Sequence, residues 1–391
     1  MNFYARARAS LLSWTHETPL PTADSKWYPK FQSWHHFHLS LQQWVAITDN
    51  DTRDHTEPPR DDDEPSDLVL LTWNIDATSA RTEDRVTDII TFVTQLDPGV
   101  RIVFLQEVSK AALQQILKDE RIRRSWISSE QDDTAWGKQS FATITLLSKA
   151  RFASTALGPV WRVAYPSHFD RDALCCDIFV SFGRERSPTR VRLVNVHLDS
   201  LPIKPSHRPR QISIISSFLR SAGCGLVAGD FNPVLEEDAT LLESNGLTDV
   251  WTVLHPEAPG YTWGTDGEQP FPPNRMDKIL IVGLKPPDIK TLEPQRLSIL
   301  EGAQNPPMDH RKSPISPMED TPPWSDHAAL LCLFGLVGDH IQLLFVLKAF
   351  VVIYKHNEYI DISICIEVIN EADRVRTFEV LPAPERLSTM A

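Results

Sequence analysis

The sequence predicts an α/β fold with a mixed sheet, and three observations carry that prediction. Between Leu68 and Phe334, short apolar runs alternate with segments whose apolar residues fall at helical spacing. Some of the strand candidates follow one another with no helix between them, which argues against a purely parallel barrel. The 391 residues are 41% hydrophobic and 23% charged, the composition of a globular chain long enough to bury a sizeable core.

Taken in order, residues 1–48 form an N-terminal segment rich in Trp and His, in which "SWHHFHLSLQQWVAI" predicts a short strand or hairpin. His35, His36 and His38 suggest a metal cluster at first sight, but no second element supplies spaced ligands, so an aromatic segment is the expected reading. Residues 49–67, acidic and almost free of apolar side chains, read as a solvated linker. From Leu68, "LVLLTWNID" is a buried-strand candidate, and "RTEDRVTDIITFVTQL" places Val86, Ile89, Ile90 and Val93 on one helical face. "RIVFLQEV" is a further strand. "SKAALQQILKD" is a helix with Ser109 as its N-cap. "SFATITLLS", "CCDIFVSF" and "RVRLVNVHL" are strands, "RPRQISIISSFLRSAG" is a helix ending at Gly223, and "GLVAGDFN", "RMDKILIVG" and "HAALLCLF" are strands again. Residues 284–324 are Pro-rich and expected to form a long loop with one short strand, "RLSIL". The domain is thus placed at 68–334, with a C-terminal tail at 335–391. In that tail "LLFVLKAFVVIY" is too short to span a bilayer and contains Lys348, so no membrane association is expected, and "EYIDISICIEVI" alternates like a strand.

A formal net charge of -13 argues against broad, non-specific nucleic-acid binding but leaves room for a local basic groove. Five cysteines, an odd number without a C-x-x-C pair, make a zinc ribbon or disulfide framework a poor fit and favour a reducing, intracellular compartment, nucleus or cytoplasm. Arg6 and Arg8 are only a faint trace of a mitochondrial presequence.

The chemistry lies at the ends of the strands. One run after another closes on polar side chains: Asn74 and Asp76; Glu107; Asn195, His197 and Ser200; Asp230 and Asn232; Asn274 and Asp277; Asp326 and His327. If the strands share sheets, these ends meet at one rim, where sites are usually built. Acids, amides and histidines without cysteine suit a hard divalent cation and a phosphate. Glu107 would bind Mg²⁺ (Mn²⁺ being the alternative), with Asn74, Asp76 and Asp326 nearby or acting through water. His197 and His327 would donate to phosphate oxygens, Asp277 would hold His327 in one tautomer, and Asp230 would take a proton from water. Strand alternation would put Asp230 and Asn232 on one face, with Asn232 fixing the phosphate or Asp230 itself. Bland readings stand beside these. Asp230 and Asn232 can cap a following helix, His197 can be a core histidine, and Trp263 can pack in the core as readily as stack on a base. Arg208, Arg210 and Gln211 suit DNA phosphate or a solvated helix start equally. Asp309-His310, with no strand after it, is rejected as the counterpart of Asp326-His327.

"TWNID", "LQEV", "NVHLDS", "GDFN", "RMDK" and "SDH", in this order, resemble the endonuclease/exonuclease/phosphatase superfamily over about Leu68 to Phe334. That resemblance implies the deoxyribonuclease I-like fold, a four-layer α/β sandwich of two packed mixed sheets flanked by helices. "TWNID", "HLDS" and "YTW" are further similar to the second family of tyrosyl-DNA phosphodiesterases. The resemblance implies a metal-dependent phosphodiesterase acting on DNA 5′ ends or protein–DNA adducts in DNA repair. It implies catalytic roles for Asp230, Asn232, His197, Asp277 and His327, substrate contacts from Asn74 and Ser200, and a metal at Glu107, Asp76 and Asp326. Pro233 and Val234 stand where an arginine near the scissile phosphate would be expected. A phosphatase or phosphodiesterase acting on a small molecule or lipid head group, or a catalytically silent interaction protein, are the alternatives on the same fold.

Overall fold

Period-2 alternation along the strands sets the architecture, because each strand buries one face between the sheets and the other under helices. The computed structural model describes residues 29–48, 68–97, 99–152, 156–180, 189–297 and 321–335, with the backbone of 346–356, 359–369 and 376–380. In chain order the elements are β1 (Lys30–Gln32), β2 (His35–His38), β3 (Gln43–Ala46), β4 (Leu68–Asn74), α1 (Thr82–Gln95), β5 (Ile102–Ser109), α2 (Lys110–Lys118), α3 (Glu120–Ser125) and β6 (Trp126–Ser128). There follow β7 (Phe141–Ser148), β8 (Leu157–Ala164), β9 (Asp172–Val180), β10 (Thr189–His197), α4 (Arg208–Ala222), β11 (Gly225–Asp230), α5 (Leu241–Ser244), β12 (Thr248–Asp249), α6 (Val250–Leu254), β13 (Asp277–Val282), β14 (Lys285–Leu292) and β15 (Ala329–Gly335). Ser109 caps α2 by accepting from the Ala112 amide, and Gly223 ends α4 in the left-handed conformation at φ 77°.

A seven-stranded sheet runs β1-β8-β9-β10-β11-β13-β12 and an eight-stranded sheet runs β14-β15-β4-β5-β7-β6-β2-β3. Both are mixed: β10 pairs parallel with β11 and β4 parallel with β5, within otherwise antiparallel ladders. Three apolar layers separate four structural ones. Leu70, Phe104, Leu193, Ala228 and Ile279 meet between the sheets. Leu71 and Val103 pack on the other side against Val86, Ile89, Ile90 and Val93 of α1 and Leu113 of α2. Val194, Val196 and Val227 pack against Ile212, Ile215 and Leu219 of α4. The expected four-layer sandwich is therefore the observed one.

Two expectations change. Residues 29–48 of the N-terminal segment do not stand apart, since β1 pairs with β8 and the β2–β3 hairpin joins the other sheet through β6. The expected 284–324 loop begins instead with β14, an edge strand. An edge strand needs no amide on its open side, and the register shift between Lys285 and Asp288 takes Pro286 and Pro287 out of the ladder. Of "RLSIL" only Arg296 and Leu297 are described, with Arg296 in an isolated bridge to Pro323. The linker 49–67, the start of the N-terminal segment and Asp309-His310 lie outside the described residues. Beyond residue 337 the chain forms a second unit, in which β16 (Val346–His356), β17 (Tyr359–Ile369) and β18 (Arg376–Val380) make a three-stranded antiparallel sheet.

Candidate active site

The strands that bury leucine and valine between the sheets end on the same faces in polar groups. Leu68 and Leu70 of β4 are followed by Thr72 and Asn74; Ile102 and Phe104 of β5 by Gln106; Val191 and Leu193 of β10 by Asn195 and His197; Leu226 and Ala228 of β11 by Asp230. In β13 the order is reversed, Asp277 preceding Ile279 and Ile281. One rim of the inter-sheet layer is therefore polar. Beneath it, Gln106 Nε2 donates to Thr72 Oγ1 (3.0 Å) and to Asn195 Oδ1 (2.8 Å), while Asn195 Nδ2 donates to the Ile144 carbonyl (2.7 Å), tying the two sheets together.

Glu107 reaches this rim through a bulge. Leu105 and Val108 both face the helices, and the β5–β7 register slips between them, so Gln106 and Glu107 occupy the space of one residue. Glu107 takes φ 55°, a left-handed conformation that costs roughly 1–2 kcal/mol. Burial of a single leucine nearby offsets that at about 1.5–3 kcal/mol. Strain gathers here: of seven non-glycine residues with positive φ among the described residues, Asp76, Glu107 and Asn232 are site candidates, and Asp170 and Leu201 adjoin Arg171 and Ser200. The same geometry corrects one expectation. β11 ends at Asp230, and Asn232, at φ 45°, is not brought alongside it by strand alternation but by an Asx turn in which its amide donates to Asp230 Oδ1 (2.9 Å).

At the centre, Asn74 Nδ2 donates to Asp230 Oδ2 (3.0 Å) and to Glu107 Oε1 (3.3 Å). His197 Nε2 lies 3.3 Å from Asp230 Oδ2 and 3.8 Å from Glu107 Oε1, yet makes no hydrogen bond. The His327 ring meets Asp277 Oδ2 through Nδ1 at 2.7 Å, and Trp263 Nε1 donates to Asp326 Oδ2 (3.1 Å). Burial pushes the Asp230 carboxyl above the usual carboxylate range, and the like charge of Asp277 adds to it. Burial alone would lower His327. The Asp277 charge and hydrogen bond, with Asp230 and Asp326, outweigh it and raise the imidazole to about 10. His197 moves the other way: burial, then the charges of Arg171 and His327, hold it well below the usual histidine value.

Two sequence candidates sit to the side of this centre. The Asp76 carboxylate is taken up by its own loop, accepting from the Thr78 amide (2.9 Å), the Thr78 hydroxyl (2.7 Å), the Ser79 amide (3.2 Å) and the Ser79 hydroxyl. Ser200 Oγ accepts from Arg171 Nη2 (2.9 Å). Arg171 itself escaped sequence reasoning. It is buried over the rings of Phe141 and Phe169, donates to the Leu198 carbonyl (2.6 Å) and feels the charges of Asp230 and Glu107. Arg85, also missed, donates to the carbonyls of Ile75, Asp76, Ser79, Ala80 and Trp324 and so clamps the Asp76 loop to the segment before Asp326. Arg208 and Gln211 face inward: Arg208 pairs with Asp238, and Gln211 bonds Asp199.

Among the described residues no three His, Cys, Asp or Glu side chains converge as a ready cage for a metal. Mg²⁺ does not need one, because it keeps several waters and takes one or two carboxylates. Glu107 and Asp326 are the open carboxylates, 19% and 35% exposed, and Glu107 is the one that Asn74 bonds at the centre. Asp76, Asp326 and Glu107 face Arg85, Asp230 and Glu107 face Arg171, and Asp277, Asp230 and Asp326 face protonated His327, so acidic side chains outnumber these cations. A hydrated divalent cation at Glu107 fits that acid-rich donor set.

The fold and this rim define a class: an α/β sandwich with acid, amide and imidazole groups gathered where the strands of both sheets end. The pattern of the Endonuclease/Exonuclease/phosphatase family matches residues 71–327, and the chain belongs to that family. Among solved structures it is similar to D. rerio TDP2 complexed with a single-strand DNA product, at 19% identity and a TM-score of 0.52, covering 69% of this chain and 100% of that one. It is likewise similar to truncated Caenorhabditis elegans TDP2, at 20% identity and a TM-score of 0.50, covering 68% of this chain and 97% of that one. No curated protein sequence matches it.

Proposed function

We propose that the chain is a Mg²⁺-dependent phosphodiesterase acting on 5′-phosphotyrosyl DNA or a closely related nucleic-acid phosphodiester. The observation that carries this reading is the convergence of Asn74, Glu107, His197 and Asp230 within 3.0–3.8 Å, beside the Asp277–His327 pair. The ordered motifs and the single-strand DNA product named for the D. rerio structure support the substrate class. Among the described residues no helix is long and apolar enough to cross a membrane.

In this mechanism Asp230 takes the proton of the attacking water. Its carboxylate is aimed by Asn74 Nδ2 on one oxygen and the Asn232 amide on the other, and its raised affinity for protons suits a base working near neutrality. Water then attacks phosphorus in line, and the bond to the leaving oxygen breaks. His327, kept protonated by Asp277, donates through Nε2 to a phosphate oxygen. His197 Nε2, buried without a partner, is a second donor, and Arg171 supplies positive charge alongside. Asp76 and Arg85 position the loop between Asn74 and α1. Trp263 offers a partly open ring for base stacking. Mg²⁺ held at Glu107, with Asp326 through water, would supply Lewis-acid stabilisation of the phosphate charge.

The test is release of 5′-phosphorylated DNA from a 5′-tyrosyl oligonucleotide with Mg²⁺, compared with abasic DNA, RNA and inositol phosphate. Asp230→Asn is expected to slow the preferred reaction about 10²–10⁴-fold. Equal rates for the two proteins would remove Asp230 as the base.

A further inference from the structure

Asp277 and Lys278 are successive residues of β13 and so project to opposite sides of the sheet. Asp277 serves the rim. Lys278, on the reverse side, lines a cavity of about 740 Å³ between β12, β13, α5 and α6. The volume is in the range of small-molecule sites. Lys278 is only 8% exposed and makes no hydrogen bond or ion pair with any described residue. Of the other charges in the lining, Arg275 Nη1 bonds both oxygens of Asp249 (2.9 and 2.7 Å), Asp238 is held by Arg208 and by the Leu235 amide, and Glu243 is exposed to solvent. Burial, with the like charge of Arg275, lowers the Lys278 ammonium to about 8 against the pull of Asp249, Asp277 and Asp230, none of which bonds it. A buried ammonium without a partner is costly, and a cavity beside it gives the counter-charge a place to sit.

The rest of the lining limits what that counter-charge belongs to. Leu242, Leu247 and Val253 make an apolar wall, and Tyr261, 43% exposed, presents a ring at the mouth. An anionic head on a flat, partly apolar body satisfies both halves. We propose that this cavity binds a nucleoside monophosphate group, with Lys278 on the phosphate and Tyr261 and the leucine–valine wall on the base. The site stands on its own geometry and does not rest on the hydrolytic reading. The phosphate has two sources, a free nucleotide or the 5′ end of a strand.

The experiment is titration calorimetry in EDTA, which removes metal-dependent binding and turnover at the rim, using adenosine 5′-monophosphate, adenosine and a 5′-phosphorylated hexanucleotide. The monophosphate binds and adenosine does not. Lys278→Met weakens binding by at least about tenfold, and Lys278→Arg stays within about threefold. Without ligand, Lys278→Met melts no lower than the wild type, since it removes an unpaired buried charge. Parallel losses for monophosphate and hexanucleotide assign the phosphate to a strand end as well; a loss for the monophosphate alone assigns it to a free nucleotide, and either supports the site. Equal monophosphate affinity in wild type and Lys278→Met, or no binding of either phosphate ligand up to about 10 mM, overturns it.

Discussion

Replacing Asp277 by Asn keeps the shape of the side chain and removes the charge that holds His327 protonated. Asp277 is fully buried, and its Oδ2 lies 2.7 Å from His327 Nδ1. His327 is raised from 6.5 to about 10, a difference of about 3.5, although burial pulls it down. At about 1.36 kcal/mol per pH unit this corresponds to roughly 5 kcal/mol in favour of the charged ring. Removing one member of a buried pair costs about 3–5 kcal/mol, so the two scales agree. The sign follows from the direction of the shift. Because the folded value lies above the unfolded one, the stabilisation is complete below about pH 6.5 and is lost as pH rises through about 10. Urea unfolding of both proteins between pH 6 and 10 should therefore show Asp277→Asn less stable by about 3–5 kcal/mol at pH 6, with the gap closing toward pH 10. The His327 ring signals, followed by NMR, should titrate at or below the ordinary histidine value in the variant and far above it in the wild type. A gap that stays constant with pH, or a ring that titrates identically in both, would refute the argument.

Two further outcomes follow from the same geometry. Arg85→Met leaves the carbonyls of Ile75, Asp76, Ser79, Ala80 and Trp324 without their buried donor and should cost about 3–5 kcal/mol by chemical denaturation, whereas a loss below about 1 kcal/mol would show that water replaces the guanidinium. Glu107→Gln should weaken Mg²⁺ binding by calorimetry at least about tenfold while the melting temperature in EDTA holds, because an amide still accepts from the Ala77 amide but carries no charge; unchanged Mg²⁺ affinity would move the metal elsewhere.

Strands with one apolar face and helices with one apolar stripe are legible because burial is one-sided in each. β8 is not. Gly158 and Pro159 interrupt it, and Arg162, an apparent surface residue in the middle of the run, is buried between Glu130 (2.6 Å) and Asp172 (2.8 Å), partners more than 30 residues away and on a neighbouring strand. β14 hides for a related reason: its prolines are tolerated only because it lies at an edge, and edge position is a property of the sheet, not of the segment. Arg85 did leave a signal. It lies four residues before Ile89 on the buried stripe of α1, where a charge must find partners or be excluded. Arg171 left none, since it precedes β9 in a run of charged residues and its worth depends on Phe141 and Phe169 folding around it.

The site shows the same division between what alternation dictates and what only the assembled rim decides. Thr72, Asn74, Asn195, His197 and Asp230 reach the rim by counting in twos from leucines and valines. Glu107 does not, because counting from Leu105 sends Gln106 inward and Glu107 out, and only the extra residue in β5 brings both to the same side. Charge state is a further step removed. His197 and His327 both follow or precede buried strands and both are fully enclosed, yet burial wins at one and loses at the other. The largest difference is Asp277, which lies 2.7 Å from His327 Nδ1 and hydrogen-bonds it, with Asp230 and Asp326 adding to its effect, whereas His197 makes no hydrogen bond through Nε2 and faces the charges of Arg171 and His327. Two like residues on one rim are thereby driven to opposite protonation states, His327 held as a cation across the neutral range and His197 held neutral.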